Sequence, residues 1–257
     1  MPMSRSSGYS ALTLRVKTSA GGLFGAGEPL REAWFLSAEE GPIKATVFGG
    51  PKSRLRAQVA PFHSGKLIIY HDPVRDSRKV SDFDVFSYRM GIRDLWERLT
   101  CAGAVAETIL FSQGGGGAWP EALKLAESVL DALDGADAAL CSRIGIYFLW
   151  RWAGFLGAGP EIGLSCACGA NADGLLWYST RKESFFCEKC TGSREKDGFS
   201  YPLGSGAAAW LKSIGSLGPA EIEKLSLDEH SLKQAKALSQ AVLAEALGKA
   251  LPTWKEI

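Results

Sequence analysis

Four of the six cysteines lie in one short stretch of this 257-residue chain, LSCACGANADGLLWYSTRKESFFCEKC. They form two close pairs, Cys166-x-Cys168 and Cys187-x-x-Cys190, with 18 residues between the pairs. Thiols grouped in this way serve as metal ligands, as a redox pair, as a disulfide or as reduced structural side chains. Each role imposes a different local fold, so these cysteines constrain the chain more than any other feature.

A structural zinc site is the interpretation that this spacing favours. Zn²⁺ takes four thiolates in a tetrahedron, and two close pairs joined by a loop can supply them. Zinc binding yields roughly 10 kcal/mol or more in finger peptides, whereas closing a loop of this length costs about 3 kcal/mol. The first pair is one residue shorter than the usual Cys-x-x-Cys. We predict one structural Zn²⁺ per chain, bound by Cys166, Cys168, Cys187 and Cys190.

The other roles of the thiols are less well supported by the sequence. A chain of this length buries enough surface to fold without disulfides, which belong mainly to small secreted domains. A redox pair is expected in a thioredoxin-like βαβ context that the pattern does not show. The N-terminal stretch has no apolar signal segment, so we expect a cytoplasmic protein, in which thiols stay reduced. Reduced structural thiols and a Cys187–Cys190 redox pair stay open as alternatives.

The hydrophobic period changes near residue 90, and this change predicts an α+β fold. Before it, five short runs rich in β-branched and aromatic residues lie between Gly and Pro, which is typical of a small sandwich or barrel; the OB type is the five-stranded barrel. After it, apolar residues recur at helical spacing. We predict an OB-type barrel at 1–88 and a helical domain at 89–257, with a zinc-ribbon-like segment inserted at 164–192.

Three features predict details of the helical part. Pro120 suits the first turn of a helix, and CSRIGIYFLWRWAGFL is apolar almost all round, as expected of a central core helix. Cys101 and Cys141 fall in apolar helical stretches and are predicted to be buried. Ser226 and Glu229 have the spacing of a capping box at the start of the last helix.

Charge is distributed unevenly along the chain. Residues 1–90 hold 13 Lys and Arg against 8 Asp and Glu, whereas the remainder holds 16 against 20. A basic barrel suggests a polyanionic partner, although a solubilising surface would also explain the charge. The run PKSRLR is predicted to form a flexible basic loop that contacts phosphates. The predicted phosphate contacts are Lys52, Arg54, Arg56, Arg15, Lys17, Lys44, Lys66 and Arg89. The candidates for base stacking, each of which could instead be barrel core, are Trp34, Phe48, Phe62 and Tyr70.

Enzymatic activity finds little support in the sequence. There is no phosphate-binding loop of the G-x-x-x-x-G-K-[ST] type, and the glycine runs miss dinucleotide spacing. The three histidines form no recognisable metal or nucleophile–base set. A closed four-thiolate site has no open position at which to activate water. We therefore predict a protein that is not an enzyme.

The order of these motifs resembles the RecO family of bacterial recombination mediators. The resemblance rests on IYFLWRWAGFLGAGPEIGLSCACG followed by FFCEKC, on GGPKSRLRAQVAPFHSGKLIIY, and on the ending ALGKALPTWKEI. Gly157 or Gly159, Pro160 and Gly169 stand with the four cysteines at the places where the family has its own Gly, Pro and Cys-x-x-Cys-Gly. The similarity spans most of the chain.

The resemblance implies a DNA-binding recombination mediator of the RecF pathway. Such a protein binds single- and double-stranded DNA, anneals complementary strands, and works with RecR and single-strand-binding protein so that RecA can load onto gaps. It implies a nucleoid-associated protein with no membrane association, and a monomer when alone. Two alternatives from other classes remain: a thiol or zinc redox protein, and an OB-type RNA-binding protein with a zinc ribbon.

Overall fold

A computed structural model describes residues 6–19, 30–50, 52–72, 74–163, 166, 168–169, 174–191 and 200–257. Five strands come first: β1 (Ser6–Ser19), β2 (Leu30–Ser37), β3 (Gly41–Val47), β4 (Ser64–Asp72) and β5 (Ser77–Ser87). They close into a barrel in the order β1-β2-β3-β5-β4. Neighbouring strands are antiparallel except β3 and β5, which are parallel. This confirms the predicted five-stranded barrel of the OB type.

The barrel interior is filled by alternating residues of the five strands. On β2, Ala33 and Phe35 are fully buried in the interior cluster, and the Phe35 ring meets Phe83 edge-on at 5.9 Å. The period of two therefore turns the intervening Trp34 to the outside. Helix α1 (Arg54–Gln58) connects β3 to β4, and Leu55 packs against the interior cluster.

Strand β1 does not keep the simple alternation that its sequence suggests. Its pairing with β2 shifts between Thr13 and Arg15, which marks a bulge. Before the bulge, Ala11 belongs to the interior, so Leu12 points outward, where it pairs with the equally buried Leu36. Beyond the bulge the even-numbered residues point inward instead of the odd-numbered ones, and Val16 packs against the interior.

The rest of the chain is helical apart from one small sheet. The longer helices are α2 (Trp96–Phe111), α3 (Trp119–Asp134) and α4 (Ala138–Phe155), followed later by α6 (Ser205–Ile214) and α7 (Glu229–Leu247). Between α4 and α6 lie β6 (Leu176–Ser179), β7 (Ser184–Cys187), the short helix α5 (Glu188–Thr191) and β8 (Ser200–Leu203). Both β7 and β8 pair with β6 in an antiparallel sheet. Short 3₁₀ helices lie at Met90–Asp94, Gln113–Gly115, Pro219–Lys224 and Pro252–Glu256.

Helix α4 is the central helix that the apolar run predicts. Tyr147, Phe148 and Trp152 are buried on it, and its N-cap Asp137 accepts from the N–H of Leu140 at 2.7 Å. The Arg143 guanidinium hydrogen-bonds to backbone carbonyls and donates to Leu225 O at 3.0 Å. Among the described residues, no helix combines the length and the apolar character that crossing a membrane requires.

Helix α7 begins at Glu229, and its cap differs from the predicted one. The Asp228 carboxylate accepts from the N–H of Ser231 at 2.9 Å, so Asp228 is the N-cap and the predicted Ser226–Glu229 capping box is wrong. An Asp side chain caps the N-terminus of a helix as well as a Ser side chain does, and the sequence has Ser226 and Asp228 only two positions apart.

The chain divides into two compact units. The first comprises Met1–Asp94 with Ala106–Asp134, and the second comprises Leu95–Val105 with Gly135–Ile257. Helix α3 therefore belongs to the same unit as the barrel, which we call the barrel unit. The predicted division into 1–88 and 89–257 stays a prediction about domains.

Candidate metal centre and basic face

The four clustered cysteines come together in space. Their Sγ atoms all lie within 4.8 Å of one another. With Zn–S bonds of about 2.3 Å, a tetrahedral site needs sulfurs about 3.8 Å apart, so small side-chain adjustments are enough to bind the ion. Cys166 is buried, Cys187 is half-buried, and Cys168 and Cys190 are exposed at the rim. The residue types and their distances fit a Zn²⁺ site with four protein ligands.

Local hydrogen bonds explain why the shortened first pair still reaches the cluster. The N–H of Gly169 donates to Cys166 O at 2.8 Å, which closes a tight turn. Gly169 has φ +85°, a conformation that favours glycine. Within this turn the N–H of Cys168 donates to Cys166 Sγ at 3.4 Å. The turn, rather than an additional residue, brings both thiols to the same side.

The second pair is carried by the end of the β6–β7 hairpin. Cys187 is the last residue of β7 and pairs with Leu176, and α5 starts at the next residue. The Thr191 hydroxyl donates to Cys187 O at 2.8 Å, which holds the single helical turn that carries Cys190.

The electrostatics of the cluster favour one thiolate in the absence of a metal. Burial raises the pKa of Cys166, but hydrogen bonds from the N–H groups of Cys168 and Cys187 outweigh it and lower that pKa to about 6. Thiol hydrogen bonds from Cys190 to the other three sulfurs raise its pKa to about 12. A bound dication would remove the remaining thiol protons, because metal ligands bind as thiolates.

A row of three side chains crosses the outer face of the barrel, and we call Arg15, Trp34 and Lys44 the Trp34 row. Trp34 is the register partner of Arg15 on one side and of Lys44 on the other. The Arg15 guanidinium lies 5.6 Å from the Trp34 ring centroid, and Lys44 Nζ lies 5.1 Å from it. Glu32 pairs with Lys44 at 2.6 Å. Proteins bind single-stranded nucleic acids with this combination of cations and an aromatic ring.

A second aromatic side chain extends this face. Phe48 follows β3 and is 54% exposed, and Lys79 Nζ lies 5.4 Å from its ring centroid. Phe48 is four residues beyond Lys44, about 13 Å along an extended strand. Lys79 was not among the contacts predicted from the sequence. The signal that could have identified it is its place in the basic hairpin RDSRKV, next to the buried Val80, which turns Lys79 to the outside of the barrel.

The predicted basic loop is partly helical. Arg54 and Arg56 belong to α1, and Lys52 precedes it with an exposed side chain. The Arg31 guanidinium fixes the turn by donating to Arg56 O and Val59 O, both at 2.7 Å. Arg54 is exposed and Arg56 is half-buried.

The remaining predicted contacts on the strands lie at different distances from the Trp34 row. Lys17 is exposed on β1 next to Glu32 of β2, close to the row. Lys66 is exposed on β4 and pairs with Ser10 of β1, five residues before Arg15, so it lies away from the row. Of the other stacking candidates, Phe62 is buried and Tyr70 is half-buried on β4.

Arg89 lies in the interior and does not fit the phosphate contact that the sequence suggests. Its side chain is 3% exposed and Nε donates to Asp131 Oδ1 at 2.6 Å. Nη1 donates to Phe62 O at 2.7 Å and to Ser64 Oγ at 2.8 Å. These bonds occupy the guanidinium, which therefore joins segments of the barrel unit.

The fold and the sites together define a class of protein: an OB-type barrel with an aromatic and basic outer face, followed by a helical part in which a turn and a small hairpin carry a four-cysteine cluster. Residues 93–255 match the family described as recombination protein O C terminal. Over 229 residues, 87% of each chain, the sequence is 25% identical to DNA repair protein RecO of Acetivibrio thermocellus. Because the family match covers more than half of this chain, the chain belongs to the RecO family.

Proposed function

We propose that this chain binds single-stranded DNA on the outer face of its barrel and acts in DNA repair without catalysing a reaction. The Trp34 row is the observation that carries the proposal. One aromatic ring with a cation on either neighbouring strand provides a base-stacking surface and two phosphate contacts. Phe48 with Lys79 provides a second such pair on the same face.

The resemblance to RecO mediators adds finer steps to this proposal. The chain would first bind single strands and then anneal complementary ones. On DNA covered by single-strand-binding protein, it would act with RecR before RecA loads. Phosphate contacts position a strand without reading its bases. A sequence-independent surface of this kind suits a protein that must act on any gap. Double-stranded DNA is a further proposed ligand.

The cysteine cluster has a proposed structural role. With Cys166, Cys168, Cys187 and Cys190 as ligands, Zn²⁺ has no position left for water or substrate. Such an ion fixes the small sheet to the turn before it. The redox alternative is less well supported, because the second pair shares its neighbourhood with two further thiols instead of facing a substrate alone.

Fluorescence anisotropy with single-stranded DNA tests the proposed function. Trp34→Ala should weaken binding about 5- to 150-fold, the contribution of one stacked base. Trp34→Phe should retain most of the affinity, because it keeps a ring. Unlabelled RNA and duplex DNA as competitors distinguish a DNA-binding protein from an RNA-binding one. Equal affinity of wild type and Trp34→Ala, with both proteins folded, would exclude this face.

A further inference from the structure

A cleft of about 460 Å³ opens beside α1 in the barrel unit. Its main lining residues are Arg54, Gln58, His63, Tyr88, Met90 and Arg93. Two of them are arginines, and no carboxylate is among the described residues that line it. The volume is typical of sites for small molecules. An anionic ligand of that size is therefore what the cleft would attract.

His63 provides an unpaired hydrogen-bond acceptor at the base of the cleft. The residue is 4% exposed, and its Nδ1 lies 2.8 Å from Gln58 O. A carbonyl can only accept, so Nδ1 carries the proton and Nε2 is a bare acceptor. Nε2 is buried and has no hydrogen-bond partner in the part of the chain that the structure describes. Burial and the neighbouring cations Arg93 and Arg89 lower the pKa of His63, which keeps the ring neutral.

Tyr88 and Met90 give the cleft an apolar, exposed wall. Tyr88 is 46% exposed and Met90 is 61% exposed, although both are large apolar side chains. The Tyr88 ring stands edge-on against His63, with centroids 5.1 Å apart and planes at 72°. A planar ligand on the exposed Tyr88 ring would therefore lie beside His63, and a hydrogen bond to the buried Nε2 requires the Tyr88 side chain to turn on binding.

We propose that this cleft binds one nucleotide of single-stranded DNA, with the base stacked on Tyr88 and the phosphate on Arg54 and Arg93. An N–H of the base donates to His63 Nε2. This inference rests on the proposed DNA-binding function and adds a second, separate contact to it. An acidic peptide would also suit the arginines, but its carboxylates supply only the charge, whereas one nucleotide supplies the phosphate, the planar ring and the N–H donor together.

Two ligands and three variants test the cleft. The ligands are a single strand of about 16 nucleotides, the upper end of OB-fold sites, and a sugar–phosphate strand of the same length without bases. Tyr88→Ala should weaken binding of the intact strand about 5- to 150-fold and leave the base-free strand nearly unaffected. His63→Asn keeps a donor at the position of Nδ1 but removes Nε2, so it should weaken only the intact strand. Phe86→Ala removes an exposed ring outside the cleft lining and should change neither affinity.

The outcomes separate this inference from the function on which it rests. If Trp34→Ala weakens binding and Tyr88→Ala does not, the cleft is excluded while the barrel face stands. If Tyr88→Ala weakens both strands equally, the cleft does not bind a base. Binding of an acidic peptide that depends on Tyr88, with no change in DNA affinity, would assign the cleft to a protein partner and overturn the inference. Absence of DNA binding by the wild type would overturn both proposals.

Discussion

At the scale of single residues, Arg89 shows how position decides the role of a cation. It has the same chemistry as Arg15, but Phe62 O, Ser64 Oγ and Asp131 occupy its guanidinium. We expect Arg89→Ala to lower the free energy of unfolding by about 2–4 kcal/mol, because it leaves buried acceptors without donors. Asp131→Asn keeps an acceptor oxygen beside Nε and changes a side chain that is 59% exposed, so it should cost less than Arg89→Ala. Urea denaturation measures both, and equal small effects would contradict the structural role.

The basic segment around α1 gives a second prediction at this scale. Changing Arg54 and Arg56 together to Ala should flatten the plot of log affinity against log salt by about 1.4, or 0.7 for each phosphate contact on a single strand. Leu55 is the matched control, because it packs against the barrel interior. Leu55→Ala should lower stability and leave the salt slope unchanged. An unchanged slope in the double variant would remove this segment from the interface.

At the scale of elements, the zinc prediction concerns the turn and hairpin that bring the cysteines together. Purified protein should contain one zinc per chain, and Cys187→Ser should lose it, because three thiolates no longer complete the tetrahedron. Elemental analysis measures the ion. Cys141→Ser is the control and should retain zinc, since Cys141 is buried outside the cluster.

Thiol alkylation provides an independent readout of the same site. After chelation, the exposed Cys168 and Cys190 should become accessible to a thiol reagent. Cys141 should stay unmodified because its side chain is buried, out of reach of the reagent. If all four clustered thiols react in the native protein and no zinc is found, the metal centre does not exist.

Elements with regular periodicity were predictable from the sequence, and those set by distant contacts were not. The five strands, helix α4 and the cysteine cluster follow from alternation, apolar composition and spacing. The bulge at Thr13 and Arg15 was not predictable, because it reflects the pairing of β1 with different partners along its length. The burial of Arg89 depends on Asp131, 42 residues away. Trp34 could be identified as a candidate but not separated from core residues until the register was known.

At the scale of the whole molecule, we predict binding without turnover. The purified protein should show no magnesium-dependent ATP hydrolysis and no strand cleavage, since the sequence has no phosphate-binding loop. Phosphate release and gel assays measure the two activities. Turnover that co-purifies with the protein and is lost in Asp84→Asn would contradict the proposal.

The salt dependence of single-stranded DNA binding tests the central claim most directly. With Arg15 and Lys44 both changed to Gln, we predict a slope flatter by about 1.4 than that of the wild type. Lys66→Gln is the matched control on the same barrel, because Lys66 pairs with Ser10 of β1, five residues before Arg15, and it should leave the slope unchanged. A double variant with the wild-type affinity and slope, or a Lys66→Gln variant that flattens the slope equally, would contradict the claim that the Trp34 row binds the strand.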